Sequence, residues 1–271
     1  MEVAAVIVGG GQAGLAAAYA SRRAGMSPVL LEAGRAPTGS WGRFYDSLTL
    51  FSPARYSALP GLPFPGDPDR YPSRDEVVAY LLAYAARLDV RIETDSRVVD
   101  VARSGDGFEV TVGDGRVFEA PLVVSAAGGF GSPYRPALPG LAEFGGRVLH
   151  AAEYREPSGF VGRRVVVVGA GNSAVQIAAE LAEVAAVTVT SRAPVRLIPQ
   201  RPWGRDLHWW LHRTGVERLP VGRWLRHRTV NVLDDGRYRA ALAAGRPAWR
   251  PMFARMGADH VRWADGTVEP V

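Results

Sequence analysis

Apolar and polar residues are arranged along this chain in a pattern that repeats. Short, solidly apolar runs end in glycine, and each leads into a longer segment with helical spacing. The first run, Val3 to Val8 (VAAVIV), suits a strand covered on both faces of a parallel sheet. It ends at Gly9. LAAAYASRRAG then reads as a helix that stops at Gly25, and Pro28 to Leu31 as a second strand. The same order returns 160 residues later, with Arg163 to Val168 (RRVVVV), a turn opening at Gly169, a helix through Leu181 and a strand from Val187 to Thr190. Strand, helix and strand in this order predict an α/β protein with doubly wound parallel sheets.

Between the two repeats, Ser73 and Glu76 have the spacing of a capping box, and Val77, Leu81, Leu82, Tyr84 and Ala85 continue the helix they open. Val90 to Ile92 and Val98 to Ala102 read as strands. Gly107 to Thr111 and Arg116 to Glu119 form a hairpin around Asp114-Gly115, and Leu122 to Ala126 a further buried strand. Gly204 to Leu219 predicts a helix broken at Gly215, and Ala258 to Val268 a last hairpin turning at Asp265-Gly266. Thr38 to Gly66 is too long and too rich in Pro and Gly for one regular element, and long ordered loops are usually functional.

Composition narrows the class. The chain has 271 residues, enough for one large or two ordinary domains, and an apolar share of 47% is ample for a core. No run approaches the roughly 18 apolar residues of a membrane helix, and no basic stretch precedes an apolar one at the N-terminus, so the expectation is a soluble, cytoplasmic protein without membrane partners. With no cysteine there is no disulfide framework, redox-active C-x-x-C pair or thiolate metal site. The net charge of +5 comes from 32 basic residues, all arginine, scattered except for a loose cluster at Arg223, Arg226 and Arg228. No nucleic-acid-binding motif accompanies them, so none is expected to bind. His208 and His212 share a helix face at zinc-ligand spacing, but neither an H-E-x-x-H glutamate nor a third ligand accompanies them and no metal is assigned. Trp209 and Trp210 are read as packing against the nucleotide domain or a partner subunit, which leaves a homodimer open.

The glycine turns carry the chemistry. Gly9, Gly11 and Gly14 give G-x-G-x-x-G directly after a strand, with Gln12 and Ala13 opening the helix. Such glycines permit a tight turn, close approach of backbone to a pyrophosphate and close helix–strand packing, while the helix N-terminus offers N–H groups to the phosphates. Glu32, beside Ala33 and 23 residues past Gly9, can accept from ribose hydroxyls and would repel a 2′-phosphate, so this first unit suits FAD or NAD. In the second unit Gly169 and Gly171 are followed by Asn172, Ser173 and Ala174, the last an accepted small residue for the third glycine. Arg192, next to Ser191, also lies 23 residues past its glycine. A guanidinium there can hold a 2′-phosphate with its planar donor fork, which predicts NADPH.

Between the two units, Phe144, Gly146, His150 and Tyr154 read F-x-G-x-x-x-H-x-x-x-Y. Together with the paired glycine units, this resembles the fingerprint of class B, two-dinucleotide flavin-dependent monooxygenases, a group that includes N-oxygenating, Baeyer–Villiger and YUCCA-like enzymes. Gly39 and Trp41, with Ser40 between them, resemble the family's G-x-W segment passing the flavin. Ala127 and Gly128 resemble its A-T-G-type turn back to the cofactor, and Val98 and Val99 fall where its second strand meets the adenine. LFSPARYSALPGLPFP is similar to the bacterial and YUCCA-like branch; no asparagine precedes Asn172, so the amine N-oxygenation of mammalian-type members does not carry over.

The resemblance implies residues 1–155 as an FAD-binding domain and 156–271 as an NADPH-binding domain. It further implies an NADPH-reduced flavoprotein that works through a flavin hydroperoxide, with molecular oxygen and a small organic molecule as substrates. His150 is expected to fix the connection between domains, and no catalytic residue is assigned. Relatives continue past residue 271 into a segment that completes the FAD domain, so two other readings stand beside the monooxygenase: an NADPH-dependent flavin reductase or oxidase releasing peroxide, and a non-catalytic dinucleotide-binding remnant.

Overall fold

The structure, a computed structural model, describes residues 1–219 and 231–271. It falls into two compact units, Met1–Pro133 and Tyr134–Val271. The arginine cluster at 223, 226 and 228 lies outside the described residues. Among the described residues, no helix is long and apolar enough to cross a membrane.

In the first unit β1 (Ala5–Val8), β2 (Pro28–Leu31), β3 (Arg91–Glu93) and β7 (Val123–Ser125) form a parallel sheet in the order β3-β2-β1-β7. The sheet is sandwiched because successive side chains of a strand point to opposite faces. Ile7 and Leu30 pack against Leu15 and Ala18 of α1 (Gln12–Arg23) and Val77, Tyr80, Leu81 and Tyr84 of α3 (Arg74–Ala85). Val6, Val29 and Leu31 face the other way, onto Val110, Val112 and Phe118 of an antiparallel sheet. That sheet is β4 (Val98–Ser104), β5 (Gly107–Val112) and β6 (Val117–Ala120), the expected hairpin plus one neighbour.

The capping box forms as the spacing predicts. Ser73 accepts the Glu76 N–H, and Glu76 accepts the Ser73 N–H at 2.8 Å. Helix α3 also pins the long loop, which carries the short helix α2 (Ala54–Ser57): the Tyr80 hydroxyl donates to the Leu62 carbonyl and accepts from the Leu59 N–H, both at 2.7 Å. One expectation is corrected. The strand at Leu122 to Ala126 is shorter and only partly buried, with Leu122 exposed, because β7 is an edge strand that has β1 on one side only.

The second unit repeats the winding. β8 (Arg164–Val168), α4 (Asn172–Leu181) and β9 (Ala186–Ser191) follow one another, and β12 (Ala248–Pro251) completes a parallel sheet ordered β12-β9-β8. A parallel pair, β10 (Leu197–Pro199) with β11 (Val232–Asp234), lies beside α4 through Asn172, whose side-chain oxygen accepts the Leu233 N–H. Helix α5 (Leu207–Thr214) stops at Gly215, whose φ of 68° is the left-handed conformation that ends helices. At the C-terminal end β13 (Arg255–Met256), β14 (His260–Arg262) and β15 (Val268–Pro270) form an antiparallel sheet in that order, its last hairpin turning at Gly266.

The first unit ends at Pro133, earlier than the boundary at residue 155 expected from sequence. Residues 134–155 belong to the second unit because Leu138, Phe144 and Tyr154 are covered there. Leu138 and Phe144 pack on the cluster of Phe253, Met256, Val261 and Trp263, and the Met256 N–H donates to the Pro139 carbonyl at 2.8 Å.

Candidate functional site

In the first unit, the strand β1 delivers Gly9 with φ of 106°, and the Gly9 N–H donates to the Leu31 carbonyl at the end of β2. A Cβ on Gly9 would lie 2.4 Å from the Ala126 carbonyl oxygen, and one on Gly14 only 1.8 Å from the Gly9 carbonyl oxygen. Those two glycines are demanded by the protein's own packing. Gly11 is different. Its φ of −76° is open to any residue, and the nearest atom to an added Cβ is the Gly39 Cα at 3.6 Å. Neither backbone conformation nor packing calls for glycine there, and the missing side chain leaves the backbone open to the approach of a phosphate group. Gly171 repeats the observation, with extended backbone and nothing within 4 Å of an added Cβ. Both loops therefore fit a dinucleotide.

Glu32 is buried at the end of β2, and both its carboxylate oxygens are occupied by backbone donors. Oε2 accepts the Gly10 N–H at 2.6 Å and Oε1 the Gly34 N–H at 2.7 Å. The acid is thus held rigidly against the glycine loop, with lone pairs left for ribose hydroxyls. Nothing in the sequence marks Gly10 or Gly34; only the fold brings them to the acid. Beside them Gly39, at φ 55°, approaches Gly11 so closely that a Cβ would lie 2.8 Å from the Gly11 Cα.

Trp41 donates its indole N–H to the Gln12 side-chain oxygen at 2.5 Å. Trp41, Phe44 and Phe130 form a ladder with centroid spacings of 5.2 and 4.4 Å. The ladder joins the loop after β2 to the turn after β7, where Ala127 and Gly128 are exposed. Ala13 is exposed in the first turn of α1, and Ala33 is exposed after Glu32. Ser40 precedes the short turn Trp41–Arg43, and its hydroxyl accepts from the Arg43 side chain at 3.2 Å. Val99 points to solvent, 60% exposed at a register shift between Val98 and Asp100, and the bulge rather than a core position explains its orientation.

In the second unit the Gly169 N–H donates to the Thr190 carbonyl, the counterpart of Gly9 to Leu31. The ladders agree, pairing Val8 with Leu31 and Val168 with Thr190. Hence the residue after the ladder's end is Glu32 in one unit and Ser191 in the other, and the equal 23-residue count that matched Arg192 to Glu32 is off by one. The position that carries the acid in the first unit carries a neutral hydroxyl in the second, and Arg192 follows it. Arg192 is exposed and, among the described residues, has no ion-pair partner. Ser191 itself is buried: its hydroxyl donates to the Ala193 carbonyl at 2.6 Å and accepts the Trp249 indole N–H at 3.0 Å. Asn172 spends its side-chain oxygen on Leu233, and Ser173 is half-buried in the first turn of α4.

The side chains of the fingerprint stretch bond within the second unit. The Phe144 ring lies over Gly146, where a Cβ would come within 2.4 Å of it. The His150 ring accepts the Ala152 N–H at 3.1 Å, and the His150 N–H donates to Glu153 at 2.6 Å. That backbone donor, with the Arg135 guanidinium, holds the Glu153 carboxyl below its ordinary range. Tyr154 is buried and donates to Glu180 of α4 at 2.7 Å. His208 and His212 turn to Asp206 and Glu217. Among the described residues no group of three or more acidic or histidine side chains is arranged to hold a metal.

Residues 6–220 match the pyridine nucleotide-disulphide oxidoreductase family. The chain belongs to that family. Within it, the similarity is to flavin monooxygenases. A flavin-containing monooxygenase from Stenotrophomonas maltophilia superposes with a TM-score of 0.84 at 36% identity, over 99% of this chain and 76% of that one. A CzcO-like oxidoreductase of Geobacillus kaustophilus is 33% identical over 80% of this chain. The indole-3-pyruvate monooxygenase YUCCA1 of Oryza sativa is 36% identical over 74% of it. The chain spans 62% and 50% of the length of these two relatives. It shares with these relatives the α/β fold of two glycine-loop units of the dinucleotide-binding type, and its 271 residues contain no cysteine.

Proposed function

We propose that this chain binds FAD on its first glycine loop and NADPH on its second, and that NADPH reduces the flavin of a monooxygenase acting on a small organic substrate with molecular oxygen. The observation that carries the reading is the contrast between the two equivalent positions. A buried, doubly bonded carboxylate at Glu32 suits an unphosphorylated ribose, whereas Ser191 followed by an exposed Arg192 suits a 2′-phosphate.

The residues proposed to hold FAD are Gly9, Gly11, Gln12, Ala13, Gly14, Glu32, Ala33, Ser40, Trp41, Ala127 and Gly128. Those proposed for NADPH are Gly169, Gly171, Asn172, Ser173 and Arg192, with Ser191 behind them. The first-turn N–H groups of α1 and α4 would face the phosphates, and Glu32 would orient the adenosine ribose through its hydroxyls. The flavin supplies hydride acceptance and oxygen activation when bound. The protein's part is to hold the two nucleotides and to exclude water around the reacting atoms.

Anaerobic titration of the FAD-supplemented protein tests this. Bleaching of the flavin band by NADPH at far lower concentration than by NADH is the expected result, followed in air by NADPH consumption coupled to an oxygenated product. Peroxide released in proportion to NADPH would replace the monooxygenase with an oxidase. Failure to bind FAD would remove the flavin chemistry altogether.

A further inference from the structure

We propose that Ser191 and Trp249 are positioning residues that set the preference for a 2′-phosphorylated adenosine by clamping the turn that carries Arg192; the proposal rests on the NADPH reading above. Arg192 lies between two residues that are tied together. The Ser191 hydroxyl donates to the Ala193 carbonyl at 2.6 Å, closing a short ring around Arg192, and accepts the Trp249 indole N–H from β12 at 3.0 Å. One residue earlier the Thr190 hydroxyl donates to the Pro251 carbonyl at 2.9 Å, while the Thr190 carbonyl accepts the Gly169 N–H at 2.9 Å. The backbone from 190 to 193 is therefore fixed both to β12 and to the phosphate loop, and Arg192 is held at a set reach from Gly169.

A long, exposed arginine loses much side-chain freedom when it grips an anion, and a fixed backbone confines that loss to the side chain itself. Nothing in the motif signals this role for Trp249, which lies 57 residues beyond Arg192 and reaches Ser191 only through the β9–β12 pairing. Ser191 thus acts through Arg192 and not by touching the nucleotide.

The test uses adenosine 2′,5′-bisphosphate and 5′-AMP as probes, titrated calorimetrically into the whole chain, so that it does not depend on flavin or turnover. Wild type should prefer the bisphosphate, and R192A should abolish the preference. W249F removes one hydrogen bond of the clamp and S191A removes both; W249F should lower the ratio of the two affinities about fivefold, and S191A at least as much, through the bisphosphate alone. S191T, which keeps a hydroxyl, should retain more of the ratio than S191A. If R192A erases the preference while W249F and S191A leave it intact, the clamp has no role and the proposal falls. If wild type shows no preference, or R192A keeps it, the NADPH assignment falls and takes the clamp with it. A uniform loss of both affinities in W249F and S191A would mark them as merely structural and also overturns the proposal.

Discussion

The carboxylate of Glu32 accepts the backbone N–H of Gly10 at 2.6 Å, and this bond joins the end of β2 to the glycine loop that follows β1. With the Gly34 bond, it leaves the acid no freedom to turn away. Removing the side chain strands two buried or half-buried donors, and hydrogen bonds to charged acceptors are each worth about 1.5–3 kcal/mol. E32A should therefore lower unfolding stability by about 3 kcal/mol and weaken FAD binding in the same protein. E32Q keeps one acceptor and should fall between. Urea denaturation with parallel flavin titration checks both, and an E32A protein that unfolds like wild type would show the bonds to be dispensable.

The glycines of the first loop separate into two classes by what they touch. G14A places a methyl group 1.8 Å from a backbone oxygen, and the resulting overpacking should cost more than about 3 kcal/mol and abolish soluble expression. G11A meets nothing closer than 3.6 Å, so the flavin-free protein should keep its stability to within about 1 kcal/mol. FAD affinity should nevertheless drop about tenfold or more, because the methyl would occupy the approach proposed for the pyrophosphate. Thermal unfolding and fluorescence titration of the two variants side by side distinguish the classes; equal FAD affinity in G11A and wild type would contradict the placement.

Both strand–helix–strand units, the capping box and both hairpins were legible because each is written in local periodicity and turn chemistry. What was not legible depends on contacts distant in sequence. Phe144 lies between the two glycine units, and its assignment to the second is decided by Phe253 and Trp263, more than 100 residues away. The exposure of Val99 follows from a bulge that alternation alone cannot announce. Counting residues from each first glycine matched Glu32 to Arg192, but the ladder ends 22 residues past Gly9 and 21 past Gly169, so Ser191 takes the acid's place. Gly10, Gly34 and Trp249 had no signal at all, since backbone donors and a lone aromatic look alike in any loop or strand.

The capping box on α3 makes a pH-dependent contribution to stability. The backbone N–H of Ser73, and after it the Arg70 guanidinium, lower the Glu76 carboxyl below its ordinary value. A group depressed in the folded state stabilises fully above its unfolded value, about 4.3, and loses that contribution as pH falls through the folded value. S73A should cost about 1 kcal/mol at neutral pH. The gap in stability between wild type and E76Q should be present at neutral pH and should close in acid, below the depressed Glu76 value. Chemical denaturation at the two pH values checks it, and a gap that widened in acid would have the sign wrong.

The indole of Trp41 and the side chain of Gln12 hold the long loop against the first turn of α1, directly beside Gly11 and Gly39. Gln12 is exposed and Trp41 is only partly buried at the edge of the core, so substitutions that keep the ring should cost little folding free energy. W41F removes the donor but keeps an aromatic ring against Phe44, whereas F44A breaks the ladder to Phe130. If this loop borders the flavin, W41F and Q12A should each weaken FAD binding by about one neutral hydrogen bond, roughly fivefold, with the unfolding midpoint nearly unchanged. F44A should weaken it further, because the turn at Ala127 and Gly128 is then released as well. Parallel measurement of FAD dissociation constants and unfolding midpoints decides the matter. Variants that lost stability yet bound FAD as wild type would place the loop's role in folding and away from the cofactor.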